Sequence, residues 1–256
     1  MWPTHRGRFS VIIPTLQKAD ELPGLVEQCA AHPRVLEVIV VNNAPTPLSW
    51  ESPKVRVLQQ ERNIFVNPAW NLGAREASGE FLAIVNDDVR FDDAAFSLAA
   101  RGLRWFGVVG PDRSCFVQSG LERPRLRLAR SSATMFGFGT FMCVRRSDYI
   151  PIPEEMRIWG GDDWLISQQR RPPGVILGVP FATEMGTTSG TLEAQLLRAE
   201  EQAVADRILL PLEGSRWWHR PFRALDEIRE IRHQLKRWFR GRQVRATPHS
   251  GKEVGA

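Results

Sequence analysis

Phe81-Leu-Ala-Ile-Val-Asn-Asp-Asp-Val89 is the stretch that decides the fold. Five apolar residues run without interruption and then break onto Asn86, Asp87 and Asp88. A short continuous apolar run closed by polar residues reads as a strand buried on both faces, the kind found in parallel sheets. In such sheets ligands bind outside the carboxyl ends of the strands, so the residues that follow the run are where chemistry is expected. Two adjacent carboxylates at that point repel each other and are partly desolvated. A divalent cation relieves both costs, and hard oxygen ligands suit magnesium or manganese. The competing reading makes Asp88 a plain cap on a turn before Phe91.

Working outward, the same grammar repeats. Phe9-Ser-Val-Ile-Ile-Pro-Thr15 is a β-branched apolar run closed by proline, and reads as a first strand. Lys18 to Ala31 carries Leu22, Leu25, Val26 and Cys29 at spacings of three and four, which predicts a helix. Leu36 to Val41 reads as a second buried strand running into Asn42-Asn43, and Val55 to Leu58 as a third. Pro68 to Ser78 predicts a helix with Asn67 as N-cap and Pro68 in its first position, closed by Gly79. Strands alternating with helices over about the first 110 residues imply a parallel sheet covered on both faces.

The second half is less regular. Ser131 to Arg145 is rich in glycine and aromatic residues with β character, Asp162 to Arg170 reads as helical, and Thr191 to Leu209 as a long helix. Ala224 to Arg240 predicts one more helix, with Leu225, Ile228, Ile231, Leu235, Trp238 and Phe239 along one stripe. Residues 246–256 have the composition of a disordered end.

Trp159-Gly-Gly-Asp-Asp-Trp164 is the second chemical motif. Paired glycines allow φ > 0 or close backbone approach immediately before two carboxylates that open a helix. A carboxylate held there can take the proton of an attacking hydroxyl, which is general-base catalysis. An isolated Gly-Asp-Asp is otherwise a simple helix cap.

With 256 residues, 43% hydrophobic and 25% charged, the chain has the size and composition of an ordinary globular protein. It has no apolar run near the roughly 18–20 residues that cross a membrane, and residues 9–14 are too short for a signal-peptide core. A cytoplasmic location, with or without peripheral attachment at a membrane, is the expectation. Three scattered cysteines, Cys29, Cys115 and Cys143, fit reduced buried thiols rather than a disulfide framework or a zinc site. The net charge of +5 is uneven: residues 216–245 hold ten Lys/Arg against three acids, a net of +7, while residues 1–215 net −2.

Taken together and in this order, Phe9–Thr15, Val38-Ile-Val-Val-Asn-Asn43, Asn71-Leu-Gly-Ala-Arg-Glu-Ala-Ser-Gly79, Phe81–Val89 and the Trp159–Asp163 motif resemble family 2 of the inverting glycosyltransferases. The resemblance covers roughly residues 9–190. It implies an α/β, GT-A-like (Rossmann-like) single domain with a mostly parallel sheet over residues 1–210. Residues 9–110 would form its nucleotide-sugar half and residues 111–210 its acceptor half. A basic amphipathic helical extension would follow at 211–245. The resemblance also implies a nucleotide-diphosphate sugar as donor and Mn2+ or Mg2+ as cofactor. Pro14, Thr15 and Asn42 or Asn43 would border the base, Asn71 the nucleotide or its phosphates, and Asn86 the ribose, with Asp87 in the same DxD position and Asp88 as metal ligand. Asp163 would be the general base, with Asp162 beside it on the acceptor; Trp159, Gly160, Gly161 and Trp164 would line the acceptor site.

Two departures stand out. Asparagine occupies the end of the second strand where the family commonly has aspartate. The family often has a further metal-ligating histidine downstream of the base, and no histidine lies between His32 and His219, so Glu184 or a hydroxyl in Thr183–Ser189 would substitute, His219 would reach back, or the metal would be held more weakly. Other readings stay open: a nucleotidyltransferase, although Pro14-Thr-Leu-Gln-Lys18 lacks that class's glycine-rich loop, or a non-catalytic nucleic-acid binder. The extension has three readings: packing on the body, lying on an anionic membrane, or tracking phosphates, with Trp217, Trp218, Trp238 and Phe239 among its arginines. The last would fit a nucleic-acid acceptor carrying a modified DNA base. Because all catalytic motifs precede residue 190, removing residues 216–256 is expected to leave donor hydrolysis largely in place but to impair transfer to the natural acceptor.

Overall fold

Alternation along the first strand builds the core. In the computed structural model, β1 (Phe9–Thr15) sends Val11 and Ile13 into one apolar cluster and Ile12 into another, all fully buried. The period of two along a strand puts successive side chains on opposite faces, so a strand with apolar side chains on both faces must be covered twice. Burying each such residue stabilises the fold by about 1.5–3 kcal/mol. The structure describes residues 7–117, 123–129, 137–183, 192–212, 214–225, 227–228 and 231–232.

Along the chain, β1 is followed by α1 (Leu22–Ala31), β2 (Val35–Asn42), β3 (Val55–Gln59), α2 (Val66–Glu76), β4 (Phe81–Val85), β5 (Val89–Phe91) and α3 (Ala94–Gly102). Then come β6 (Val108–Pro111), β7 (Arg125–Leu128), β8 (Phe141–Arg145), α4 (Gly161–Ser167), β9 (Gly174–Leu177), β10 (Phe181–Thr183) and α5 (Leu192–Leu209). The main sheet has the order β3-β2-β1-β4-β8-β6-β9-β7. β1 to β4 pair in parallel, as do β6 and β9; β8 runs antiparallel between β4 and β6, and β7 antiparallel to β9. β5 and β10 form a separate antiparallel pair. Residues of α1 and α3 bury against one face; residues of α2 and α4, with Trp218 and Phe222, bury against the other.

The sequence-predicted elements of the first half are present, with two changes of detail. α1 begins at Leu22, not Lys18, with Pro23 in its first turn, where a missing N–H costs nothing. α2 begins at Val66, so Asn67 is not its N-cap: Phe65, at φ 66°, holds that place. Asn67 is fully buried inside the first turn, and its amide donates to the carbonyls of Met156 (2.9 Å) and Trp159 (3.4 Å). A tertiary bond has taken the side chain from local capping. The three cysteines are free and buried, and burial pushes their thiols up, as expected for inert core residues.

The start of the extension belongs to the body. Trp218 and Phe222 are 1% and 4% exposed, Trp218 Nε1 donates to the Gln169 carbonyl at 3.2 Å, and Arg216 Nη2 donates to that of Gln168 at 2.9 Å. Beyond them the helical segment turns its predicted stripe outward: Leu225, Ile228 and Ile231 are exposed. Leu235, Trp238 and Phe239, the end at 246–256, and residues 184–189 lie outside the described residues. Among the described residues no helix is long and apolar enough to cross a membrane.

Candidate active site

Parallel register sets Thr15, the last residue of β1, beside Asn42, the last of β2. The β1–β4 ladder runs from Phe9–Phe81 to Ile12–Ile84 and stops short of Pro14, whose nitrogen has no proton to donate. Freed from the ladder, the chain after β4 bonds through side chains: Thr15 Oγ1 donates to Asp87 Oδ2 at 2.6 Å. The same hydroxyl accepts from Gln17 N at 2.8 Å, fixing the turn that leaves β1. Asn42 is fully buried, and its amide is saturated. It donates to the Thr46 carbonyl and Gln59 Oε1 and accepts from Gln17 Nε2 and Ala44 N. Asn42 therefore braces the loops over the strand ends, while Asn43 N donates to the Thr15 carbonyl and its Oδ1 accepts from Ile64 N at 3.3 Å.

Asp87 and Asp88 carry the electrostatic strain. Burial pushes the Asp87 carboxyl up, against the Thr15 hydrogen bond, with the neighbouring Asp88 and Glu21 charges adding to the rise. Asp88 Oδ1 is buried without a hydrogen-bond partner. On the paired strand Thr183 stands opposite Val89, the residue after Asp88, and its Oγ1 is likewise buried without a partner. An orphaned carboxylate oxygen next to a second, destabilised carboxylate is a donor set that fits a hard divalent cation. Among the described residues no three His, Cys, Asp or Glu side chains converge on one point. His219 packs on Trp218 at 4.2 Å and accepts from Arg216 N, past the C-terminus of α4 and at the other end of that helix from Asp162.

The second acidic motif opens α4. Gly160 sits at φ 73°, and a Cβ there would lie 2.9 Å from Ala205 Cβ of α5. At Gly161 a Cβ would fall 2.1 Å from Asn67 Oδ1. The close approach that this glycine pair permits is thus to α5 and α2. Trp164 packs against the core and donates Nε1 to the Ile150 carbonyl at 3.2 Å, and Trp159 is half-buried. Asn71 holds the preceding loop: it donates to the Ile152 carbonyl and accepts from Ile152 N and Tyr149 Oη.

The two acidic motifs meet across one turn. Asn86 N donates to the Thr140 carbonyl at 3.0 Å. A Cβ on the preceding Gly139 would lie 3.1 Å from Asp162 Oδ2, whose partner Oδ1 accepts from Asp163 N at 3.0 Å. Residues 76 apart in sequence thereby flank a single backbone turn. Several participants escaped sequence reasoning. Gly139 and Thr140 sit in a glycine-rich stretch read only as β-like. Glu201, 2% exposed, accepts from Arg157 N, Arg157 Nε and Ile158 N, yet nothing in its helix marks it out.

The sequence model of the family described as "Glycosyl transferase family 2" matches residues 10–142, just over half of the chain. No curated protein sequence matches. Among solved structures, S. aureus TarS 1-349 is similar at a TM-score of 0.50 and 19% identity, covering 79% of this chain and 69% of that one. Its complex with UDP-GlcNAc aligns at 0.55 and 18%, covering 80% and 71%. GalNAc-T7 with UDP, GalNAc and Mn2+ aligns at 0.52 and 11%, covering 69% and 43%. Identities this low carry the fold, a GT-A fold, and not the substrates.

Proposed function

Because the chain belongs to glycosyl transferase family 2 and is a glycosyltransferase, we propose that it moves a sugar from a nucleotide-diphosphate donor onto an acceptor hydroxyl with inversion. The observation that carries this reading is the Gly139–Thr140 turn, with Asn86 bonded to one of its residues and Asp162 packed on the other. The strand end that carries Asp87 and Asp88 and the helix start that carries Asp162 and Asp163 flank this one turn, which supports a single displacement between donor and acceptor.

In this reading the nucleotide lies over the ends of β1 and β2, bordered by Pro14, Thr15 and Asn43. Asn42 and Asn71 act by holding the surrounding loops, and Asn86 faces the ribose. Asp88, with Asp87 beside it, would hold Mn2+ or Mg2+, which when bound supplies Lewis-acid neutralisation of the diphosphate. Asp163 takes the proton of the acceptor hydroxyl as that oxygen bonds to the anomeric carbon. The anomeric carbon–phosphate oxygen bond breaks, and the nucleoside diphosphate leaves with the electron pair. Asp162, Trp159 and Trp164 border the acceptor at the start of α4, whose close approach to α5 and α2 is permitted by Gly160 and Gly161. The UDP-GlcNAc bound by TarS and the UDP and Mn2+ bound by GalNAc-T7 support the donor and cation classes. The orphaned Asp88 oxygen supports the cation independently of them.

The test is a panel of nucleotide sugars, each with and without manganese, followed for slow donor hydrolysis. One donor is expected to turn over, and only with the metal. Asp88→Ala should keep the wild-type melting temperature and lose metal-dependent nucleotide binding in calorimetric titration. Binding that is equal in the variant and indifferent to metal would overturn the Asp88 assignment. Inertness toward every nucleotide sugar would overturn the donor class.

A further inference from the structure

The end of the sheet remote from Thr15, Asn42 and Asp87 is formed by the starts of β6 and β9 and the end of β8. Two tryptophans stand there in water: Trp105 and Trp217 are each 72% exposed. Side-chain bonds to backbone carbonyls link their neighbourhoods. Arg171 Nη1 donates to the Arg104 carbonyl at 2.8 Å, and Trp217 Nε1 donates to the Arg170 carbonyl at 3.2 Å. A hollow of about 670 Å³ is lined by Gly107, Arg145, Asp148, Arg170 and Arg171 among others. Arg104, Arg170 and Arg171 are exposed.

A helical segment follows Trp217 directly in the chain. Trp218 and Phe222 dock it on the body, after which Leu225, Ile228 and Ile231 are 48%, 49% and 57% exposed. Steps of three along a helix keep these side chains on one face. Arg220, Arg223 and Arg232 are exposed nearby. In sequence the apolar period recurs at Leu235, Trp238 and Phe239, and the three acids, Asp226, Glu227 and Glu230, fall off it. Residues 216–245 are basic by +7 on a body that is not.

We propose that the rim of this end of the sheet is a docking surface for an anionic lipid bilayer, separate from the donor site. Exposed aliphatic side chains in a row are unfavourable in water and gain nothing from a phosphate backbone, which takes cations and stacking aromatics instead. A bilayer interface accepts all three features at once. Indoles seat at the headgroup level, aliphatic side chains sit below it, and arginines pair with anionic headgroups. Docked this way, the enzyme turns the carboxyl ends of β1, β2 and β4 away from the lipid.

Co-sedimentation of the full chain with phosphatidylglycerol/phosphatidylcholine vesicles, pure phosphatidylcholine vesicles and duplex DNA, each over a sodium chloride series, tests it. Binding to the anionic vesicles is expected, with a fraction retained at high salt because apolar insertion is not screened. Ile228→Glu/Ile231→Glu should lower vesicle affinity about tenfold or more, with unchanged melting temperature and donor hydrolysis. Trp105→Ala, on the body and independent of that helix, should weaken it in the same direction, and decides the matter if the double variant fails to fold. The proposal is overturned by absence of vesicle binding, by variants that bind as the wild type does, or by DNA binding that outlasts vesicle binding as salt rises. It is also overturned if light scattering finds a dimer that the double variant dissociates, since the face is then an interface between copies.

Discussion

At the scale of single residues, the site depends on carboxylates held differently by their surroundings. Asp162 spends one oxygen on its neighbour's backbone and packs the other on Gly139. Asp163, next along α4, is the one assigned to the acceptor proton. Asp163→Asn preserves shape and removes the proton acceptor, so turnover should fall by about 10²–10⁴-fold while nucleotide binding persists. Proton NMR of the product should show inverted configuration in the wild type; retention would refute direct displacement. A residue outside the site offers a pH-dependent test of the fold. His32 is buried, packs at a tilt on Phe96 with centroids 4.8 Å apart, and accepts from Arg34 N at 3.1 Å. Desolvation lowers its pKa, opposed by Asp93 and assisted by Arg34 and Lys54. The unfolded chain therefore takes up the proton first as pH falls. The neutral imidazole's contribution is intact above about pH 6.5 and is lost below it. His32→Asn keeps an acceptor for Arg34 and cannot titrate, so the gap in urea midpoint between wild type and variant should narrow as pH drops from about 7 to 5. A constant gap across that range would show that the imidazole does not titrate on unfolding.

Elements reveal where sequence reading succeeds and where it stops. β1 and β4 were legible to the residue because each is a short apolar, β-branched run, too short for a helix and closed by polar residues. The start of α2 was not, since Asn67 is a good cap in isolation and was claimed instead by Met156 and Trp159, some 90 residues away. α5 shows the same limit more sharply. Its buried Glu201 is one charged residue among many in the sequence, yet it gathers the backbone N–H groups of Arg157 and Ile158 just ahead of the Gly160–Asp163 turn. Arg157 Nε lies 2.8 Å from the same carboxylate, with the arginine side chain 43% exposed, so the backbone contacts carry more weight than the ion pair. Glu201→Ala leaves those donors unsatisfied and should cost about 1–3 kcal/mol in denaturant unfolding. Because Glu201 positions the loop without touching substrate, kcat should fall while the nucleotide Kd stays constant, and Glu201→Gln should recover part of the loss. An alanine variant with lowered stability and undiminished kcat would reduce Glu201 to a structural role.

On the scale of the molecule, strand order is the part no local pattern conveys. β8 runs antiparallel between β4 and β6, and its pairing with β4 begins opposite Val85, next to the acidic pair. That long-range choice delivers the Gly139–Thr140 turn to Asn86, and with it the junction of the two motifs. The division between body and extension is equally nonlocal. Charge suggested a tail separable from residue 216, whereas Trp218 and Phe222 are buried, and Arg216 and Trp218 bond the carbonyls of Gln168 and Gln169 after α4. Two truncations distinguish these descriptions. Removing residues 224–256 takes away the exposed stripe and most of the positive charge, and should leave the thermal midpoint and donor hydrolysis close to wild type. Removing residues 216–256 also deletes the two core aromatics, each worth about 3–5 kcal/mol by large-to-small substitution. It frees the C-terminal end of α4, whose first turn carries Asp162 and Asp163. The longer truncation should therefore melt well below the shorter one in circular dichroism and lose sugar transfer with it. If both melt together at the wild-type temperature, the Trp218 contact contributes nothing to stability, and the body ends where the charge first indicated.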